Sequence, residues 1–187
     1  MSLIYACIKG EVDKVALLLK NGDDPTDKDN TAIQVASYGG YAKIVELLLQ
    51  DGRADPTSNN NYAIHLASEV GHEDIVALLL QDGRADPTAL ENFAIRRASE
   101  FGHEKVVSLL LQDGRSNPAA CDNYALRYAS YRGHTKIVEI LLQDGRVEAT
   151  EFAIVHAITD EIREMLIRYK YRVDGKEYRR MSEQIKN

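Results

Sequence analysis

The sequence predicts an all-α solenoid of about five short helix–turn–helix units stacked side by side. Three observations predict it. The octapeptide QDGRADPT stands at Gln50 and again at Gln81, with shorter echoes at Gln112 and Gln143, a fixed interval of 31 residues. The segments between these loops carry the apolar spacing of amphipathic helices. No stretch of useful length alternates as a strand would. Two helices this short cannot bury their own apolar faces, so each unit must cover its neighbour.

The units run 1–29, 30–60, 61–91, 92–122, 123–150 and 151–169, the first and last being caps, and 170–187 forms a basic tail. The first, LIYACIKGEVDKVALLLKNGDDPT, follows the pattern with one residue fewer in its loop and polar residues at some apolar places, as an N-terminal cap requires. The four full units open with NTAIQVAS, NYAIHLAS, NFAIRRAS and NYALRYAS. Their asparagines, Asn30, Asn61, Asn92 and Asn123, are expected to N-cap the first helices. A glycine at constant phase (Gly40, Gly71, Gly102, Gly133) stops each first helix. The second helices carry a broader apolar stripe, such as Ile75, Val76, Leu78, Leu79 and Leu80, expected of a helix buried against its neighbours.

In the last unit, EFAIVHAITDEIREMLIRYK keeps Phe152, Ala153, Ile154 and Ala157 but loses the glycine turn, leaving Thr159 or Asp160 to cap the final helix. The tail, YKYRVDGKEYRRMSEQIKN, interleaves Tyr169, Tyr171 and Tyr178 with basic residues. It reads as a helical cap folded back on the stack, or as a docking peptide.

Net charge is −6, yet Arg168–Asn187 holds seven Lys or Arg against three Asp or Glu, so the rest of the chain carries −10. An acidic body argues against phosphate-backbone binding, whose affinity comes from clustered cations. Cys7 and Cys121 have no metal-site or disulfide spacing. Both thiols are expected free, in a reducing, cytoplasmic setting. The apolar runs are far shorter than a bilayer span.

His72, His103 and His134 recur at the 31-residue period. They cannot share a metal, because stacked helices lie about 8–10 Å apart while a zinc ligand lies about 2 Å from its ion. A hydrogen bond across the inter-repeat turn is the expected role. The acidic loop DDPTDKDN lacks the central Gly and final Glu of a calcium loop. Arg53, Arg84 and Arg115 align with Asp55, Asp86 and Asn117 two residues on, which suggests an arginine–aspartate ladder along the stack. No phosphate loop, nucleophile elbow or zinc-protease helix occurs. The expectation is a protein that is not an enzyme, with no catalytic residue, cofactor or metal.

NYAIHLASEVGHEDIVALLLQDG resembles the ankyrin repeat, in which a Thr-Pro-Leu-His-like start, an Ala-Ala pair, Gly-His and a Leu-rich second helix follow in that order. The likeness covers Leu3 to Tyr169. Ala32, Ala63, Ala94 and Ala125 stand where the family has Pro, and the family's His survives only at His65. The period of 31 falls short of the family's usual length of about 33, so the hairpin finger is shortened and reshaped. The DGRADPT phrasing is similar to ankyrin repeats of giant DNA viruses of amoebae and of some microbial eukaryotes.

The resemblance implies first helices lining a concave face that binds partner proteins. The chain's own copies show where that face varies, at the pairs flanking each Ala-Ser: Gln34-Val35, His65-Leu66, Arg96-Arg97 and Arg127-Tyr128 before it, and residues such as Glu69, Phe101, Tyr131 and Arg132 after it. By position the candidate partner-binding residues are Leu66, Glu69, Arg96, Arg97, Phe101, Arg127, Tyr128, Tyr131 and Arg132. Arg and Tyr are enriched at interface hot spots. The expected molecule is a monomeric scaffold or adaptor, with Tyr128 contributing to binding and not to stability. The rival readings are a segment of a longer array, and a nucleic-acid surface using the Arg-rich face and the tail.

Overall fold

The computed structural model describes residues 2–172, so most of the basic tail lies outside the described residues. The described residues form twelve helices in six consecutive pairs. These are α1 (Leu3–Lys9) with α2 (Val12–Lys20), α3 (Asp27–Tyr38) with α4 (Ala42–Asp51), and α5 (Ser58–Val70) with α6 (Glu73–Asp82). Then follow α7 (Ala89–Phe101) with α8 (Glu104–Asp113), α9 (Ala120–Arg132) with α10 (Thr135–Asp144), and α11 (Glu151–Val155) with α12 (Asp160–Tyr171). First helices pack on first helices and second on second, each against the unit before and after. The first helices crowd together more closely than the second. The face presented by the first helices is called the inner face, after the concave face that the resemblance implies.

The core repeats with the sequence. Ile33, Ile64, Ile95 and Leu126 form one fully buried row, and Leu48, Leu79, Leu110 and Leu141 another. Each such side chain contributes about 1.5–3 kcal/mol by leaving water.

The loops depart from expectation in two ways. First, the asparagines do not cap their helices. Asn30, Asn61, Asn92 and Asn123 each end a run of three residues with positive φ, such as Asn59 (52°), Asn60 (56°) and Asn61 (65°). This is one turn of left-handed helix, closed by a bond from Asn61 N–H to Thr57 O at 2.8 Å. Left-handed backbone costs a non-glycine residue about 1–2 kcal/mol, so other contacts must hold it. Asn61 Oδ1 accepts from Asp86 N–H in the next unit at 2.7 Å; Asn30, Asn92 and Asn123 do the same for Asp55, Asn117 and Glu148.

Second, the arginines do not pair with the acids two residues on. Arg84 holds Asp82, two residues before it, through Nε–Oδ1 at 2.8 Å and Nη2–Oδ2 at 2.9 Å, because Gly83 between them turns the chain at φ 81°. Its third arm, Nη1, reaches Ala54 O of the preceding unit at 3.0 Å. Arg115 and Arg146 repeat this geometry on Ala85 and Ser116. Asp86 instead accepts from the N–H and Oγ1 of Thr88. The loop is thus strapped both ways: the octapeptide's Arg grips the loop behind, and the Asn four residues past the octapeptide grips the loop ahead.

The finger is reshaped in keeping with the all-α expectation: it holds no strand among the described residues, and the left-handed turn takes its place.

Other expectations hold. His72, His103 and His134 place Nε2 at 3.0, 2.8 and 2.9 Å from the carbonyls of Tyr38, Glu69 and Glu100 in the preceding unit. A carbonyl only accepts, so each ring donates from Nε2. Thr159 caps α12, accepting from Ile162 N–H at 3.2 Å. Ile158 occupies the histidine's place beside Gly133. Cys7 and Cys121 are free thiols, the first buried. No helix among the described residues is long and apolar enough to cross a membrane.

Candidate functional site

Residues i, i+3 and i+4 share one face of a helix. That rule aligns Leu66, Glu69 and Val70 on α5, Arg97, Glu100 and Phe101 on α7, and Tyr128, Tyr131 and Arg132 on α9. The opposite side of these helices, with Ile64, Ala67, Ile95 and Ala98, is buried in the core. The three sets therefore form neighbouring columns on the inner face.

Glu100 organises the middle of this face. Its carboxylate, only 8% exposed, accepts from Arg97 Nη1 at 2.7 Å and Tyr124 OH at 2.7 Å, and from Arg132 Nη2 at 3.4 Å. Arg97 also reaches back to Glu69 of the preceding unit at 3.1 Å and lies over the Phe101 ring at 4.6 Å. Burial and the Glu100 carboxylate push the Tyr124 phenol up to about 12, so it stays a hydrogen-bond donor. An ion pair this enclosed is costly to break from one side, since the remaining charge stays buried.

Arg96 and Arg127 are turned toward the left-handed loops. Arg96 donates to the carbonyls of Leu90 and Glu91, both at 3.0 Å, and lies 5.2 Å from the Tyr124 ring. Arg127 binds Asp122 through its carbonyl at 3.3 Å and Oδ2 at 2.8 Å, and covers the Phe152 ring at 4.2 Å. Gln34 and His65 stand at the same phase and are buried, so this position supports the loop more than it meets solvent. Gln34 Nε2 donates to Asp29 O at 2.8 Å in the same manner.

Tyr128 is half-buried and stacked on Tyr124 with ring centres 4.1 Å apart. Its removal therefore costs some stability, about 0.5–1.5 kcal/mol for the ring pair, against the expectation of a residue active in binding alone. Phe101 and Tyr131 remain 43% and 52% exposed, and Arg132 is exposed as well. Leu66 and Glu69 are half-buried beside them.

Two family models match the chain. One, for ankyrin repeats in three copies, covers residues 3–91; the other, for ankyrin repeats in many copies, covers residues 95–142. The chain belongs to the ankyrin-repeat family. No curated protein matches it. Ankyrin repeats generally mediate protein–protein interaction, and proteins built from them are typically non-enzymatic scaffolds.

Reasoning from sequence alone placed Glu100 beside Phe101 on this ankyrin face without making it a candidate, and passed over Phe93, Tyr124 and Phe152. A signal was present. Tyr62, Phe93 and Tyr124 keep an aromatic ring at the 31-residue period, and Glu69 and Glu100 keep a carboxylate. Phe93 lies under Arg96 and Arg97 of its own helix and Tyr124 under Arg96 of the preceding column, while Glu69 and Glu100 serve as counter-charges to Arg97.

His65, in the second full repeat, is 1% exposed, its Nε2 lacks a hydrogen-bond partner among the described residues, and its ring sits 5.0 Å from Phe93. Burial pushes its imidazole down to about 4. An unfolded His titrates near 6.5, so between the two values the unfolded chain binds the extra proton. Stability from this residue is full above about pH 6.5, declines as pH falls toward 4 by on the order of 3 kcal/mol, and then levels. Urea unfolding at several pH values should show this decline, and His65→Gln, which installs the residue of the preceding repeat, should flatten it. An unchanged acid limb in that variant would refute the assignment.

Proposed function

We propose that this chain is a non-enzymatic, monomeric adaptor, acting in the cytoplasm without a cofactor, that binds one or more partner proteins on the inner face of the stack. The proposed domain is 1–169, with 170–187 as an appended basic tail. Within the face, Leu66, Phe101, Tyr128, Tyr131 and Arg132 meet the partner, together with the outward edges of Glu69 and Arg97. Arg96 and Arg127 hold the loops that bound it. One observation carries this reading: large aromatic side chains stay exposed on a face whose charges are otherwise paired internally. Burying such rings on association is favourable, and the paired charges need not be stripped of their partners.

The test compares wild type with Leu66→Ala/Phe101→Ala as bait in cell lysate. Neither side chain is buried, so the variant is expected to fold, which a thermal melt by circular dichroism checks. A protein retained by wild type and reduced at least about tenfold by the variant supports the reading. Equal retention by a folded variant overturns it. Arg97→Glu is unsuited to this experiment, because it would set a third carboxylate against Glu69 and the enclosed Glu100.

A further inference from the structure

The C-terminal end of the inner face holds a concavity of about 240 Å³, walled by Tyr128 and Tyr131 from α9 and Phe152 and His156 from α11, with Arg127 at its edge. That space suits one large side chain. Its walls are already ordered: Tyr128 is stacked on Tyr124, and Phe152 on His156 with centres 4.0 Å apart, beneath the Arg127 guanidinium. A pre-ordered seat loses little entropy when filled. Yet Tyr131 and Phe152 stay 52% and 44% exposed, so the seat is open to a partner.

The charges around it are unequal. Three carboxylates linked to its walls each have a cation: Asp122 has Arg127, Glu151 has Lys170, and Glu100 has Arg97 as well as the Tyr124 hydroxyl. One cation is less well served. Arg132, one helical turn beyond Tyr128, has only the 3.4 Å contact to a carboxylate already shared, and its side chain is 50% exposed. Arg127 Nε is buried with no partner among the described residues. A carboxylate at the rim gains Arg132 as a partner, whereas a lysine-like or methylammonium group drawn to the aromatic walls meets the charges of Arg127 and Arg132.

We infer that this pocket takes an aromatic or leucine-like side chain from a partner protein segment carrying an Asp or Glu within a few residues, the carboxylate pairing with Arg132. The inference rests on the inner-face reading above and names the chemistry of the partner. A base stacked on the rings with its phosphate on Arg132 would fit the same groups. However, a nucleic-acid strand brings a row of phosphates toward a body that carries −10 before Arg168, whereas a single carboxylate meets no such opposition.

The experiment selects a random 12-residue phage-displayed peptide library on the full chain and measures the best peptide by fluorescence anisotropy. Expected are peptides with an aromatic or Leu beside Asp or Glu. Tyr131→Ala should weaken binding at least about tenfold, and Arg132→Gln by about three- to tenfold, while a peptide with its acid changed to the amide should bind wild type and Arg132→Gln alike. Both residues are exposed, and thermal melts verify that the variants fold. Peptides with Lys or Arg beside the aromatic, no enrichment, or displacement of the peptide by a single-stranded oligonucleotide would overturn the proposal. Peptides weakened by Leu66→Ala/Phe101→Ala and indifferent to Tyr131→Ala would sink the pocket and leave the inner face standing. Peptides indifferent to both variants would sink both.

Discussion

Leu79→Ala lowers the stability of the stack by about 2–5 kcal/mol. Leu79 is fully buried on α6, in a central repeat whose second helix packs between α4 and α8. Truncation removes three carbons from water-free surroundings and leaves a cavity that helices fixed on both sides cannot close. The loss reaches beyond one unit, because each repeat contacts chiefly its neighbours and their stability depends on that interface. Leu17→Ala is the matched control: Leu17 belongs to the equivalent apolar run of α2 but is 56% exposed, so its loss should stay within about 0.5 kcal/mol. Urea unfolding of both variants at neutral pH decides the matter. A Leu79→Ala protein as stable as Leu17→Ala would refute the placement of this core row.

Gly71→Ala costs about 2–4 kcal/mol, although it adds only a methyl group. Gly71 closes α5 at φ 86°, where an L-residue loses about 1–2 kcal/mol. A Cβ there would also overlap the His103 ring, the ring that bonds Glu69 O at 2.8 Å. Moving the ring forfeits that bond, worth about 0.5–1.5 kcal/mol. Gly83→Ala separates the two causes: φ is 81°, but nothing lies within 4 Å of the added carbon, so only the backbone cost remains. A second check is the pair Gly71→Ala/His103→Ala, which should cost less than the sum of its parts because the overlap is gone. Additive losses, or equal losses at Gly71 and Gly83, would rule out the steric account.

The inner face was only half legible. Exposed Phe101, Tyr131 and Arg132 were found because the chain's four copies differ at those positions while Ala67 and its equivalents do not change. Arg96, Arg97 and Arg127 looked the same in sequence, yet each already has work inside the stack. Nothing local distinguishes an arginine that reaches outward from one that folds onto a carbonyl five or six residues back. The partner atom is set by backbone direction, and here that direction comes from a left-handed turn.

The same reason explains the two revisions in the loops. Asn61 has the residue type of a helix cap, but its acceptor oxygen meets an N–H 25 residues ahead, in the next unit. Arg84 has an acid two residues away on either side, and only the turn at Gly83 brings Asp82, not Asp86, within reach of both arms.

By itself the sequence determined the period, the two helices per unit, which faces are buried, the histidine bonds and the free thiols. These depend on apolar spacing within a helix or on identical residues recurring at a constant interval, and both are properties of the chain read along its length. Only the tertiary structure decided the left-handed turns, the partners of Asn and Arg, the enclosed Glu100 network and the aromatic seat beside Phe152. Each of those brings together groups from different repeats. Their energies depend on distance and burial across the stack, which residue type and spacing do not specify.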